Sequence, residues 1–113
     1  MTEHQLQAQM VAEFNRRVKP YQRRLLSHNH NNASTKAEQA RLARLGLTPG
    51  RPDLTLYAGN MGRTVMIEVK TPSGSQSKAQ KDYQEAVEKA GYPYYIVRTV
   101  DDFMRIVSQY IDI

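Results

Sequence analysis

The segment PDLTLYAGNMGRTVMIEVK, Pro52 to Lys70, constrains the fold more than any other. Two short apolar runs flank the turn Gly59-Asn60-Met61-Gly62, which predicts strands over 53–58 and 64–70. Side chains alternate faces along a strand. In the first run Leu54 and Leu56 share one face, and Asp53, Thr55 and Tyr57 share the other. In the second, Val65, Ile67 and Val69 share one face, and Met66, Glu68 and Lys70 the other. If the strands pair, Asp53 and Glu68 can point to the same side with Lys70 beside them. Paired strands lie about 5 Å apart, so the two carboxylates can share a divalent cation. Like charges that close are unfavourable unless something positive lies between them. A metal ion and the Lys70 ammonium would meet that need. The competing reading is an ion pair on a solvated hairpin face, because a short Asp…Glu-x-Lys match arises easily by coincidence.

The rest of the chain supplies helices and one more strand. Leu6, Met10, Phe14 and Val18 recur every four residues and predict a helix over 3–19 that Pro20 ends. LLSHNHNNAST, 25–35, reads as a polar loop. A second helix is predicted over 35–45, stopping at Gly46, and a third over 77–90, stopping at Gly91. Residues 94–98 read as a short strand. Asp101 can cap a last helix whose apolar face is Phe103, Ile106, Val107 and Tyr110. The order ααββαβα implies an α/β fold, a mixed sheet flanked by helices, in one domain over 1–113.

Charge narrows the partners. The formal net charge of the 113 residues is +5, and nine basic residues lie between Arg16 and Arg51 against one acid, Glu38. That block suits a phosphate-backbone binder; the alternative is a solvated basic face. With no Cys there is no disulfide framework, thiolate zinc site or cysteine nucleophile. The first residues lack an apolar signal core, and no run approaches the ~18 apolar residues of a membrane span. The expectation is a cytoplasmic protein with no membrane partner and no nucleotide cofactor.

Two more residues bear on the carboxylates. Glu3 and Gln7 line up with Met10 and Phe14 on the apolar stripe of the first helix. Glu3 either turns inward and needs a partner, or is frayed and solvated. Gln80 shares a helical face with Tyr83 and Val87. It either hydrogen-bonds a carboxylate, a metal-bound water or a phosphate, or is a polar boundary residue. Asp53 and Glu68, being hard oxygen donors, favour Mg²⁺ or Mn²⁺, and Lys70 can hold an attacking water or offset transition-state charge. That chemistry suits phosphodiester hydrolysis. His28 and His30 could form a metal pair, but no third ligand lies nearby in sequence, and a DNA-facing loop is the simpler reading. Arg16, Arg17, Arg23 and Arg24 either grip phosphates or are solvated. Lys78 and Lys81 open the third helix, whose N-terminus can help bind a phosphate; the alternative is ordinary solvation of an exposed helix face. Tyr94 and Tyr95 read as sheet core.

The pieces together resemble the virus-type replication-repair nuclease domain (VRR-NUC), a branch of the PD-(D/E)xK nuclease superfamily. Those that carry the likeness are Glu3 and Gln7; an Asn-rich loop and basic helix ending in LGLTPGRPDL; IEVK at 67–70; Ser77, Gln80 and Tyr83; and Gly91 with the tyrosine-rich strand ending in Arg98. The resemblance implies a restriction-endonuclease-like core. It implies Asp53 and Glu68 as catalytic metal ligands, with the Val69 carbonyl and Glu3 adding to the set, and Lys70 as the catalytic lysine. Gln80 would assist, with Gln7 and Tyr83 in support. Arg16, Arg17, Arg23, Arg24, Arg51, Lys78 and Lys81 are the candidate contacts to nucleic acid. Stand-alone members are short, often viral or phage-encoded, and resemble homodimeric nucleases of branched DNA, four-way junctions in particular. This chain is expected to be of that kind, with Mg²⁺ or Mn²⁺ as cofactor. The alternatives are a nuclease of flaps or other DNA ends, and a non-catalytic DNA binder that keeps the fold.

Overall fold

The computed structural model describes residues 1–29 and 35–113. The two central runs pair as expected. β2 (Leu54–Ala58) and β3 (Arg63–Val69) are antiparallel, with Leu54 opposite Ile67 and Leu56 opposite Val65. A 3-10 turn over Gly59–Met61 joins them and closes at Gly62, whose φ of 61° suits glycine. β4 (Tyr94–Val97) runs parallel to β3. A parallel neighbour needs a crossover, which α3 (Lys78–Lys89) supplies.

The other edge of the sheet corrects the sequence reading. Residues 26–28 are not polar loop but strand β1 (Leu26–His28), antiparallel to β2 with Leu26 opposite Leu56. A 3-10 turn over Pro20–Leu25 leads into it. Three residues are too few to show a period of two, and their strand state comes from the free edge of β2. Residues 30–34 of the expected loop lie outside the described residues. The helices and strands therefore run αβαββαβα, and the sheet order is β1-β2-β3-β4.

One face of the sheet carries the core. α1 (Glu3–Arg17) starts at a capping box in which Thr2 and Gln5 exchange backbone and side-chain hydrogen bonds. It ends at Arg17, two residues earlier than expected, because Val18 turns to extended backbone. α4 (Val100–Tyr110) is capped by Thr99, which accepts from the Asp102 amide at 3.0 Å; Asp101, the expected cap, lies inside the first turn. Leu6, Met10, Phe14 and Val18 meet Phe103, Met104, Ile106 and Val107 over Leu54, Leu56, Val65, Ile67, Val69 and Val97. Phe14 and Phe103 lie 6.4 Å apart, centroid to centroid, at a tilted angle.

α2 (Lys36–Arg44) is a surface helix, capped by Thr35, whose residues are all exposed or half-buried. The connector after it is held at Gly50. There φ is +79°, and a Cβ would lie 2.2 Å from the Ala79 carbonyl oxygen of α3. This approach is open to glycine alone and fixes the backbone three residues before Asp53. Among the described residues no helix is long and apolar enough to cross a membrane.

Candidate active site

The second face of the sheet holds the charges. The β2–β3 register, continued by one pair, sets Asp53 beside Glu68. Asp53 Oδ2 accepts from the Val69 amide at 2.7 Å. A strand residue's N–H and C=O leave on the same edge, so the Val69 carbonyl also emerges on the Asp53 side. Asn29 ties the approach to Asp53. Its amide donates to the Asp53 carbonyl at 2.8 Å, and its side chain donates to the Pro52 carbonyl and the Thr55 hydroxyl. Arg51 in turn donates to Asn29 Oδ1 at 3.0 Å.

Glu68 is 0% exposed and Lys70 is 6% exposed. That burial rules out the solvated-hairpin reading, since ionisable groups this deep require partners. Glu68 Oε1 accepts from the Tyr94 hydroxyl and, at 3.3 Å, from Gln76 Nε2. Glu68 Oε2 has no hydrogen-bond partner among the described residues. Lys70 Nζ lies 3.8 Å from Glu68 Oε2 and 3.8 Å from Glu3 Oε2. Both distances are ion pairs too long for hydrogen bonds, so the ammonium keeps N–H donors for another ligand. The first helix thus delivers Glu3 to Lys70 from across the sheet end. Burial pushes the Asp53 carboxyl above the usual aspartate range; the Val69 N–H opposes the rise, and the charges of Glu3 and Glu68 add to it. Burial, followed by the hydrogen bond to Glu68, pushes the Tyr94 phenol far up, so it stays a donor.

Other expected site residues fall elsewhere. Gln80 does not reach the carboxylates. Its side-chain oxygen accepts from the Ser77 amide at 2.9 Å, in a capping box that opens α3. Gln76, just before that helix, makes the contact instead, and Gln84 Oε1 holds it at 2.9 Å. Helical spacing alone favoured Gln80, because Gln76 is not in the helix. Gln7 meets His28 of β1 at 2.9 Å on the core side of the sheet. His30, the other half of the suggested histidine pair, lies outside the described residues. Tyr83 lines a groove with Thr48 and Pro49. Arg16 and Arg17 sit exposed at the far end of α1, about 20 Å along its axis from Glu3. Arg16 pairs with Glu13, and Arg23 donates to the Asn15 carbonyl at 3.0 Å. Arg24 and Lys81 are exposed, and Lys78 pairs with Asp82 at 2.8 Å. Sequence reasoning missed Gln76, Gln84, Asn29 and the bond from Tyr94. Of these only Tyr94 carried a signal, as a residue read as sheet core; its place on the Glu68 face comes from the register of β4 against β3.

The donor set fits a hard divalent cation. Among the described residues no three His, Cys, Asp or Glu side chains gather closely enough to enclose an ion by themselves. Mg²⁺ does not need that: it keeps several waters and takes one or two carboxylates together with substrate phosphate. The orphaned Oε2 of Glu68 and the under-compensated Asp53 carboxylate are the two groups such an ion would satisfy.

A mixed sheet flanked by helices, carrying Asp53 and Glu-x-Lys at the adjoining ends of β2 and β3, defines a nuclease domain of the PD-(D/E)xK type. The model of the VRR-NUC domain matches residues 1–101, and the chain belongs to that family. The fold is also similar to that of a solved VRR_NUC domain protein at 24% identity, with a TM-score of 0.78 over 98% of this chain and 88% of the other. No curated protein sequence matches.

Proposed function

We propose that this nuclease domain hydrolyses phosphodiesters in branched DNA with Mg²⁺ or Mn²⁺, four-way junctions being the preferred substrate and a homodimer the working form. The observation that carries the metal-dependent hydrolysis is the convergence of Asp53, Glu68, Lys70 and Glu3 around a buried carboxylate oxygen that lacks a hydrogen bond among the described residues. Asp53, Glu68 and the Val69 carbonyl would hold the ion, with Glu3 adding charge beyond Lys70. When bound, the ion supplies positive charge to the phosphate and acidifies a nearby water.

The chain's own residues do the rest. Lys70 is buried between two carboxylates that orient it without consuming its donors, so it can hold the attacking water or offset charge on the phosphate oxygens. Asp53 is aimed by the Val69 amide and by the Asn29 bonds to its own strand. Arg51 is linked to this site through Asn29, and Lys78 and Lys81 lie on the first turns of α3. The basic block from Arg16 to Arg51 supports a duplex partner larger than the cleft alone. Symmetric cuts across a junction need two sites, which a two-fold dimer provides.

The test is cleavage of an end-labelled four-way junction beside linear duplex and a flap, in Mg²⁺, Mn²⁺ or EDTA. Symmetric junction cuts that vanish in EDTA and in Asp53→Asn are expected. Cutting of the flap alone would overturn the substrate and keep the site. Salt-dependent binding with no cutting in either metal would replace the enzyme by a DNA binder.

A further inference from the structure

The two oxygens of Glu68 have unlike surroundings. Oε1 accepts both the Tyr94 hydroxyl and the Gln76 amide, whereas Oε2 accepts neither and faces the Lys70 ammonium at 3.8 Å. We propose that Tyr94 and Gln76 are positioning residues that saturate Oε1 and so hold Oε2 out as the open ligand position for a divalent cation. The inference rests on the nuclease reading above.

The terminal torsion of a Glu side chain is soft and roughly two-fold. A buried carboxylate with no donors on either oxygen would rotate toward Lys70, the one cation paired with it among the described residues, and present both oxygens to it. Two fixed donors on one oxygen remove that freedom. Tyr94 is well placed to be one of them. β4 pairs it with Met66, on the face that Glu68 shares, and the residue is only 6% exposed.

Gln76 is fixed just as firmly. An amide NH₂ has two donor hydrogens. One goes to Glu68 Oε1 and the other to Gln84 Oε1 at 2.9 Å, so the amide orientation is set from α3. The loop that brings Gln76 round from Lys70 is itself held. Arg98 donates to the carbonyls of Thr71 at 2.8 Å and Gly74 at 2.7 Å. Arg98 thereby clips the loop to the end of β4, the strand that also carries Tyr94. The two donors on Oε1 therefore come from β4 and from the loop before α3, neither of which supplies any of the expected metal ligands.

Outer partners of this kind typically alter metal affinity by about 10–100-fold when removed. The test is Mn²⁺ binding to the DNA-free protein by calorimetry, with Tyr94→Phe, Gln76→Leu and Gln84→Ala beside wild type. Melting without metal checks folding. Tyr94→Phe and Gln76→Leu are expected to melt within a few degrees of wild type and to bind Mn²⁺ roughly 10-fold or more weakly. Gln84→Ala, which does not touch Glu68, should give a smaller loss in the same direction. Junction cleavage should then need correspondingly more Mn²⁺ for half-maximal rate while approaching the wild-type rate at saturation. If Tyr94→Phe does not fold, Gln76→Leu decides alone. Unchanged Mn²⁺ affinity in a folded Gln76→Leu protein overturns the proposal and leaves the nuclease site standing. Wild type that binds no Mn²⁺, like Asp53→Asn, refutes the metal site and the proposal with it.

Discussion

Replacing Asp53 with Asn should separate the needs of the fold from those of the chemistry. In the metal-free protein the Asp53 carboxyl is raised above its ordinary value, first by burial and then by Glu3 and Glu68. A raised carboxyl contributes stability that is fully present below the unfolded value, about 3.9, and is lost as pH rises through the folded one. Wild type and Asp53→Asn should therefore melt alike near pH 3. Above the raised value the ionised wild type should be the less stable of the two. The Asn oxygen can still accept the Val69 amide, so the strand geometry survives. Metal reverses the order. A ligand at a hundred times its Kd stabilises the folded state by about 2.7 kcal/mol. With an unfolding entropy of about 2.1 cal/mol/K per residue, 113 residues carry about 0.24 kcal/mol/K, and the rise in Tm comes to about 11 °C. Differential scanning calorimetry at pH 7, with EDTA and with saturating Mn²⁺, should show that rise in wild type and not in Asp53→Asn. An Asp53→Asn protein that is clearly less stable than wild type in EDTA would refute the argument that Asp53 is an under-compensated charge.

Three further outcomes are expected. Lys70→Ala should lower junction cleavage by about 10²-fold or more, as for removal of one transition-state donor, while Mn²⁺ binding measured calorimetrically persists. Gly50→Ala should destabilise by more than about 1–3 kcal/mol, the range for strained backbone alone, because the new Cβ also meets the Ala79 carbonyl; denaturant titration measures this. Burial, then the hydrogen bond it shares with the Tyr95 hydroxyl, pushes the Tyr110 phenol up to about 12, so one tyrosine should ionise there by ultraviolet titration. Its stabilising contribution is complete below about 10 and fades as pH rises through 12. Tyr95→Phe should return that transition toward 10.

Much of this protein was legible in its sequence, because the information was local. Period-two alternation placed Asp53 and Glu68 on one face, period-four spacing placed Leu6, Met10 and Phe14 in the core, and Ser77 and Gly91 bracketed α3. The stripe that holds Leu6 also turned Glu3 toward Lys70. What lay outside the local pattern was decided by distant neighbours. LSH at 26–28 is a strand only because β2 offers an unpaired edge. Gln80 and Gln76 are the same residue type four positions apart, and helical spacing favours the one that is spent on capping Ser77. Gln76 reaches Glu68 because Arg98, 22 residues further on, clips its loop to β4. Tyr94 faces Glu68 because β4 runs parallel to β3 in one register. The sequence by itself determined which side chains carry the charges and which face they take, since backbone geometry repeats every two or 3.6 residues. Only the tertiary structure decided which oxygen of Glu68 is satisfied and which is left open, since that depends on donors brought from a separate strand and loop by packing.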